Sequence, residues 1–167
     1  MLKLPKFTQK YSNDCGVASI YIILKYYDIK VGYKDLLEST KCKQTDGIEG
    51  LVVAKTLTQF GLDGKYIDFC SSDYLRKMYE KGVPVMVGWF SPRLTSPGNH
   101  WSVVQSASNK TVRLMDPALG RTRIFPLADF QSLWFTINSS ASRRGILSNP
   151  LNHVGIREAV IPRPKAP

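Results

Sequence analysis

The feature that most constrains the fold is an apolar helix predicted over residues 15–27, whose first residue is a cysteine. Apolar side chains recur along it at helical spacing, and Ile22 and Ile23 widen the apolar face, which predicts a central, heavily buried helix. The preceding residues 12–14, Ser-Asn-Asp, are of the types that cap helix N-termini. The rest of the chain must therefore pack around a helix that begins at a thiol.

The remaining elements change in type halfway along the chain. Further helices are predicted in the first half, over residues 33–40, 47–60 and 71–81, with glycines at their ends. Strands are predicted in the second half, over residues 84–90, 100–107, 111–115 and 121–125, followed by a short helix over 127–134. This order predicts an α+β fold, with an N-terminal helical half packed on a C-terminal antiparallel sheet.

The length of 167 residues suits one domain of ordinary size. We expect residues 1–137 to form that domain, and residues 138–167 to form a basic extension. Within the extension, Ser, Asn, Gly and Arg over 138–155 predict a mobile loop. Residues 157–161 then predict a returning edge strand, and the proline-rich residues 162–167 a frayed tail.

The formal net charge of +10 raises the question of nucleic-acid binding. The basic residues, however, are spread along the chain, and no basic run is interleaved with aromatic residues. Nucleic acid is therefore an unfavoured partner, and an acidic protein or anionic surface fits the charge at least as well. No apolar run approaches the roughly 20 residues that cross a bilayer, and the N-terminus lacks the pattern of a signal peptide. We expect a chain that stays in the cytoplasm or is delivered as part of a secreted precursor.

The three cysteines, Cys15, Cys42 and Cys70, have no CxxC spacing. An odd count without that spacing argues against a disulfide framework and against a structural zinc site. A Cys42–Cys70 disulfide in an oxidising compartment stays open.

Cys15 is the candidate nucleophile because it lies in the first turn of the predicted helix. Unpaired backbone N–H groups and the positive end of the helix dipole stabilise a thiolate there, which predicts a lowered pKa for the thiol. Gly16 follows it and would let a substrate approach the sulfur.

His100 and Asp116 are the candidate base and its orienting group. His153, the other histidine, falls in the polar late segment, whereas His100 begins a strand beside Trp101, which could shield it from water. Asp116 ends the strand that pairs with the His100 strand, so both side chains should come to the same end of the sheet. A carboxylate there can fix the tautomer of the imidazole and favour its protonated form.

Gln9 is the candidate oxyanion-hole residue. It precedes the nucleophile in the same segment, and its side-chain amide could join the backbone N–H of Cys15 as a second donor to a developing oxyanion.

Three segments together are similar to one known family. They are Gln9 with Asp14-Cys15-Gly16-Val17-Ala18, Asn99-His100-Trp101-Ser102-Val103-Val104, and Asp116-Pro117 with Gly120. In this order, over about residues 5–135, the chain resembles the double-glycine, bacteriocin-processing leader peptidases, which are papain-like cysteine peptidases usually fused to peptide-exporting ABC transporters. No transporter segment is present, so the resemblance implies a stand-alone relative.

The resemblance implies a papain-like fold, with Gln9 and Cys15 on the helical half, His100 and Asp116 on the sheet, and the active site between them. The expected activity is cleavage of a peptide or protein substrate, with no metal or organic cofactor. The same residues would serve an acyl or peptidyl transferase, or a secreted toxin or effector that has an immunity or inhibitor protein as partner. The complete set of residues argues against a binding module without catalytic activity.

Overall fold

The computed structural model describes residues 1–42, 47–92, 98–135 and 159–164. The helices are α1 (Cys15–Tyr26), α2 (Tyr33–Thr40), α3 (Gly50–Gln59), α4 (Ser72–Glu80) and α5 (Leu127–Leu133). The strands are β1 (Leu62–Ile67), β2 (Val85–Ser91), β3 (Gly98–Ala107), β4 (Thr111–Asp116), β5 (Arg121–Pro126) and β6 (Ala159–Pro164). The predicted α+β class is confirmed, and the helix boundaries fall within a few residues of those expected.

The strands form one six-stranded sheet in the order β1-β6-β2-β3-β4-β5. Every neighbouring pair is antiparallel. The order from β2 to β5 is a meander in which each strand pairs with the next one along the chain. It therefore brings the ends of β3 and β4, from which His100 and Asp116 come, to neighbouring positions.

Helices cover both faces of the sheet, whereas the sequence predicted one helical half against one sheet. Met86, Val103 and Met115 pack in a core with α1, α2 and α3. The adjacent positions Val87 and Leu114 belong to a second core with α4 and α5. Both faces need a cover because consecutive residues of the central strands are apolar, and a strand that is buried on both sides loses the alternation of polar and apolar residues.

Strand β1 was not predicted from the sequence. Asp63 and Gly64 are residue types that are depleted in strands, and they interrupt its apolar pattern. Gly64 is nevertheless required here, because a Cβ atom on it would collide with the backbone carbonyl oxygen of Ala54 in α3. The glycine lets the helix approach the sheet edge more closely than any other residue would allow.

The predictions of an edge strand and a frayed tail near the C-terminus are wrong for residues 159–164. Residues 159–164 form β6, which lies between β1 and β2 and not at an edge of the sheet. Val160 pairs with β2 on one side and with β1 on the other, and Ala159, Val160 and Ile161 are fully buried. Pro162 and Pro164, expected in a frayed tail, pair with β1 only. Proline cannot donate to a ladder, and here it falls where the strand has lost one neighbour.

The predicted mobile loop over 138–155 lies outside the described residues, as do residues 165–167 of the predicted tail. No helix within the described ranges combines the length and the apolar character that a membrane crossing requires.

We predict that Gly64→Ala destabilises the fold by about 1–3 kcal/mol, the usual range for forcing extra atoms into a packed contact. The Ala54 carbonyl is part of α3 and cannot move aside as a flexible side chain would. The measurement is urea unfolding followed by circular dichroism. Gly98→Ala is the matched control, since a Cβ at Gly98 in β3 meets nothing within 4 Å. Equal midpoints for the two variants would contradict the packing argument.

Candidate active site

Cys15 is the first residue of α1, and the residue before it does not cap the helix as expected. Asp14 occupies the N-cap position without a side-chain bond to the first turn. Its carboxylate turns back to accept hydrogen bonds from the backbone N–H groups of Lys10 (3.2 Å) and Tyr11 (3.1 Å) and from the Tyr33 hydroxyl (2.6 Å). Asp14 therefore leaves the first-turn N–H groups beside the thiol unbonded by its own side chain, and it fixes the preceding loop.

Tyr33 is the buried partner of Asp14. Burial, followed by the hydrogen bond to Asp14, raises the pKa of the Tyr33 phenol far above its usual value. The hydroxyl therefore stays protonated and donates to Asp14 throughout the working pH range. This hydrogen bond stabilises the charge of the Asp14 carboxylate, which lies close to the thiol.

Trp101 joins α1 to the sheet. Its backbone N–H points at the Cys15 sulfur at 3.5 Å, and its indole N–H donates to the Ile48 carbonyl oxygen at 2.9 Å. A Cβ on Gly16 would lie 2.5 Å from Ile48 and 3.1 Å from the Trp101 ring. Gly16 is therefore needed for this packing, a role that the sequence did not indicate.

His100 and Asp116 meet at the end of the sheet. His100 Nε2 lies 2.7 Å from Asp116 Oδ1, with 2% and 0% of the two side chains exposed. The His100 side chain also interacts with the side chain of Cys15. Since Nε2 is engaged by the carboxylate, the thiol is left with Nδ1. The structure thus brings three of the predicted site residues into one chain of contacts, with the imidazole in the middle.

The electrostatics of this chain favour a protonated imidazole. Burial alone would lower the pKa of His100, but the hydrogen bonds and charges of Asp116 and Cys15 outweigh it and raise this pKa to about 9. For Asp116 the directions are reversed. Burial alone would raise the pKa of its carboxyl group, but the interactions with His100, Arg123 and the Ala118 N–H outweigh burial and lower this pKa below its usual value. At neutral pH His100 is therefore an imidazolium, and its positive charge interacts favourably with the side chains of Asp116 and Cys15 on either side.

Arg123 is a residue of the site that the sequence did not indicate. Its Nη1 lies 3.0 Å from Asp116 Oδ2, on the side of the carboxylate away from His100. Arg123 comes from β5, where it pairs with Leu114, two residues before Asp116 in β4. Only this register brings the two charges together, and no local motif signals it.

Gln9 lies between the nucleophile's loop and the Asp116 turn. Its backbone N–H donates to the Pro117 carbonyl oxygen at 2.8 Å. Its side-chain nitrogen donates to the carbonyl oxygens of Tyr11 (2.7 Å) and Ser12 (3.0 Å), while Oε1 is buried without a partner. In this conformation Gln9 presents an acceptor to the protein interior, and its two donors are already used within the loop.

The other two cysteines stand apart from this chemistry. Cys42 and Cys70 are not joined to each other, so the disulfide left open by the sequence is not formed. Burial raises the pKa of both thiols, that of Cys70 to about 11. His153 lies outside the described residues. Among the residues that are described, no three His, Cys, Asp or Glu side chains are grouped to hold a metal ion.

Comparison with known protein families gives one match, in which the model of the Peptidase C39 family covers residues 3–142. A comparison with curated proteins gives no match.

Solved structures with the same fold come from peptidases of this kind. A double glycine motif protease from an AMS/PCAT transporter, solved in complex with the leader peptide, is 22% identical with a TM-score of 0.70, over 98% of this chain and 93% of that chain. The peptidase domain of Streptococcus ComA, a bifunctional ABC transporter involved in quorum sensing, is 19% identical with a TM-score of 0.69, over 95% and 97% of the two chains. A C39-like peptidase from Bacillus anthracis is 13% identical with a TM-score of 0.70, over 99% and 96%.

We predict that iodoacetamide at neutral pH alkylates Cys15 at least roughly tenfold faster than Cys42 or Cys70, since only a thiolate reacts. A cation beside a thiol favours its reaction, and the His100 imidazolium interacts with Cys15, whereas burial raises the pKa of the other two thiols. Mass spectrometry of the digested protein over a time course gives the three rates. Labelling of Cys15 only after the protein is unfolded would contradict the assignment.

Proposed function

The chain belongs to the Peptidase C39 family and is a cysteine peptidase, and from this premise we propose that Cys15, His100 and Asp116 carry out the catalysis. The observation that carries the proposal is the buried contact chain from the Cys15 thiol through the His100 imidazole to the Asp116 carboxylate. A thiol paired with an oriented imidazole is the arrangement that activates a cysteine nucleophile. Each residue's role follows from its place in that chain.

In the proposed reaction the Cys15 thiolate attacks the carbonyl carbon of the scissile peptide bond. A carbon–sulfur bond forms, and the carbonyl electron pair moves to oxygen. His100 then gives its Nδ1 proton to the amide nitrogen as the carbon–nitrogen bond breaks, which releases the amine product. Water then attacks the thioester and loses a proton to the now neutral His100. The carbon–sulfur bond breaks, which releases the free acid and restores the Cys15 thiolate and the His100 imidazolium.

Asp116 holds the imidazole in the orientation that this proton transfer needs. Its 2.7 Å contact with Nε2 leaves Nδ1 to face the sulfur. The Trp101 N–H that points at the sulfur supports the thiolate before attack. The imidazolium, with its pKa raised to about 9, supplies a proton to the leaving amine at neutral pH.

For the oxyanion we propose two donors, the backbone N–H of Cys15 and the side-chain amide of Gln9. The first suits the role because Asp14, the N-cap residue, makes no side-chain bond to the first turn of α1. The second requires the Gln9 amide to turn and give up one of its loop contacts, of which the 3.0 Å bond to Ser12 is the longer. The unpartnered Oε1 supports such a movement, since turning the amide relieves a buried acceptor that lacks a hydrogen bond.

We propose a peptide as the substrate class. A structural neighbour was solved with a leader peptide, and this chain matches that protease over nearly its whole length. A synthetic leader peptide ending in two glycines, followed by several residues of cargo, is therefore the first probe. Mass spectrometry should show one cut after the glycine pair. Products that carry an added amine instead of water would favour a transferase.

We predict that Cys15→Ala and His100→Gln each lower peptide cleavage by roughly 10⁴-fold or more, and that the double variant is hardly worse than either, because the residues act as a unit. Glutamine at position 100 can still donate to Asp116 but cannot shuttle a proton. Cys42→Ala is the matched control and should cleave normally. Losses in the single variants that add up in the double variant would contradict a coupled pair.

We predict that Gln9→Ala and Gln9→Glu each lower kcat by roughly a hundredfold, the scale of one lost oxyanion donor, with little change in KM. Neither alanine nor an ionised glutamate can donate to the oxyanion, although glutamate keeps the size of the side chain. Initial rates against peptide concentration separate the two constants. A raised KM with normal kcat would make Gln9 a substrate-binding residue, and unchanged kinetics in both variants would leave it as a brace of the loop.

A further inference from the structure

We propose that Arg123 is a positioning residue of the catalytic chain, which keeps Asp116 ionised through the whole reaction and sets the pH range in which Cys15 and His100 work. This inference rests on the proposed function of the three catalytic residues, and it adds a fourth residue behind them that touches no reacting atom.

The first support is the way in which the Asp116 carboxylate is surrounded. Oδ1 accepts from His100 Nε2 at 2.7 Å and from the Ala118 N–H at 2.9 Å, and Oδ2 accepts from Arg123 Nη1 at 3.0 Å. The carboxylate is completely buried. A buried carboxylate stays ionised only when it is paired. Arg123 therefore provides the ion pair that does not depend on the protonation of His100.

The second support is that the guanidinium is fixed in place by aromatic rings. Its carbon lies 4.9 Å from the centre of the Trp89 ring and 5.0 Å from that of Phe125, and only 16% of the side chain is exposed. Trp89 also meets the His100 ring edge-on at 5.4 Å. The same tryptophan thus contacts both side chains that pair with Asp116, His100 at Oδ1 and Arg123 at Oδ2.

The third support is the order of the charges. In the reactive state that we propose, the groups from Cys15 to Arg123 are a thiolate, an imidazolium, a carboxylate and a guanidinium, so each charge has neighbours of opposite sign. After His100 gives its proton to the leaving amine, the imidazole is neutral and Arg123 is the cation that remains in contact with Asp116. Without it, burial would favour protonation of Asp116, and a neutral carboxyl group could not stabilise the next imidazolium.

Other charged and titratable groups face this chain without contacting Asp116. Arg121, its register partner in β5, is exposed. Asp14, Tyr33 and Cys42 lie on the thiol side, where the Asp14 charge is taken up by Tyr33 and by backbone N–H groups. Among the described residues, Arg123 is thus the side chain besides His100 that forms an ion pair with Asp116.

The sign of the effect follows from the charge that is lost. Removing the positive charge of Arg123 raises the pKa values of the coupled groups Cys15, His100 and Asp116, whichever of them carries the proton. In a plot of kcat/KM against pH, both the rise on the acidic side and the fall on the basic side should therefore move to higher pH. A charge at this separation in a partly buried site corresponds to a shift of about 0.5–1 pH unit.

The test compares Arg123→Gln with Arg121→Gln, which loses the same net charge from the same strand. The first readout is the rate of Cys15 alkylation by iodoacetamide against pH, which needs no substrate. The second is kcat/KM for peptide cleavage against pH. We expect the midpoints of both profiles to rise by about 0.5–1 unit in Arg123→Gln and to stay in Arg121→Gln. Arg123→Lys, which keeps the charge, should return them towards the wild type.

Adding a small cation to a variant that lacks Arg123 separates the loss of its charge from any effect on folding. A cavity of about 770 Å³ between β5 and α5 is lined in part by Arg123, so a small cation can reach its position from solvent. Millimolar methylguanidinium should return the midpoints of Arg123→Ala towards the wild-type values and leave those of Arg121→Gln unchanged.

Two outcomes would overturn the inference. One is a loss of rate in Arg123→Gln by the same factor at every pH, with unmoved midpoints, which is what a merely structural role gives. The other is equal shifts in the Arg123 and Arg121 variants, which would make the effect one of net charge. If the wild-type protein itself shows no reactive Cys15 and no cleavage, the proposed function fails instead, and this is seen before any Arg123 variant is compared.

Discussion

The site depends first on the contact that Trp101 makes between α1 and β3. Cys15 and His100, the nucleophile and base that we propose, come from opposite halves of the chain, and the proposed reaction needs them within hydrogen-bond reach. Trp101 follows the base directly, its ring packs where Gly16 has no side chain, and its backbone N–H points at the Cys15 sulfur. A side chain at Gly16 would separate helix from strand, and with them the thiol from the imidazole. Packing therefore sets the catalytic geometry here.

The second constraint is that two buried carboxylates, those of Asp14 and Asp116, belong to the surroundings of Cys15 and His100. A nearby carboxylate disfavours the thiolate on which the proposed reaction depends, and the fold treats the two differently. Asp14 is surrounded by neutral donors, two backbone N–H groups and the Tyr33 hydroxyl, and it fixes the loop that carries Gln9. Asp116 is paired with two basic side chains, His100 and Arg123, and in the proposed mechanism it orients the base. Neutral donors suit a carboxylate that only braces the loop, whereas cations suit one whose charge must remain while His100 gains and loses a proton.

Much of this could be predicted from the sequence, because the signals involved are local. The apolar periodicity after Cys15 gives α1, and the alternation of turns and β-branched residues gives β2 to β5. Cys15, His100 and Asp116 stand at the ends of those elements, where a reactive side chain can emerge from the framework. The meander then predicts that His100 and Asp116 meet, since strands joined by a hairpin return to the same edge.

What the sequence could not give depends on contacts between distant residues. β6 looks like an edge strand and a tail because its prolines weaken the strand pattern, and only pairing with β1 and β2 makes it interior. Arg123 looks like any arginine of an exposed strand until the register of β4 and β5 puts it beside Asp116. Asp14 has the residue type of a helix cap, yet the Tyr33 hydroxyl, from another helix, engages its carboxylate. Reactive groups can thus be found by their type and their place at element ends. The residues that set their charge and orientation are defined by pairing register and packing, which have no local signature.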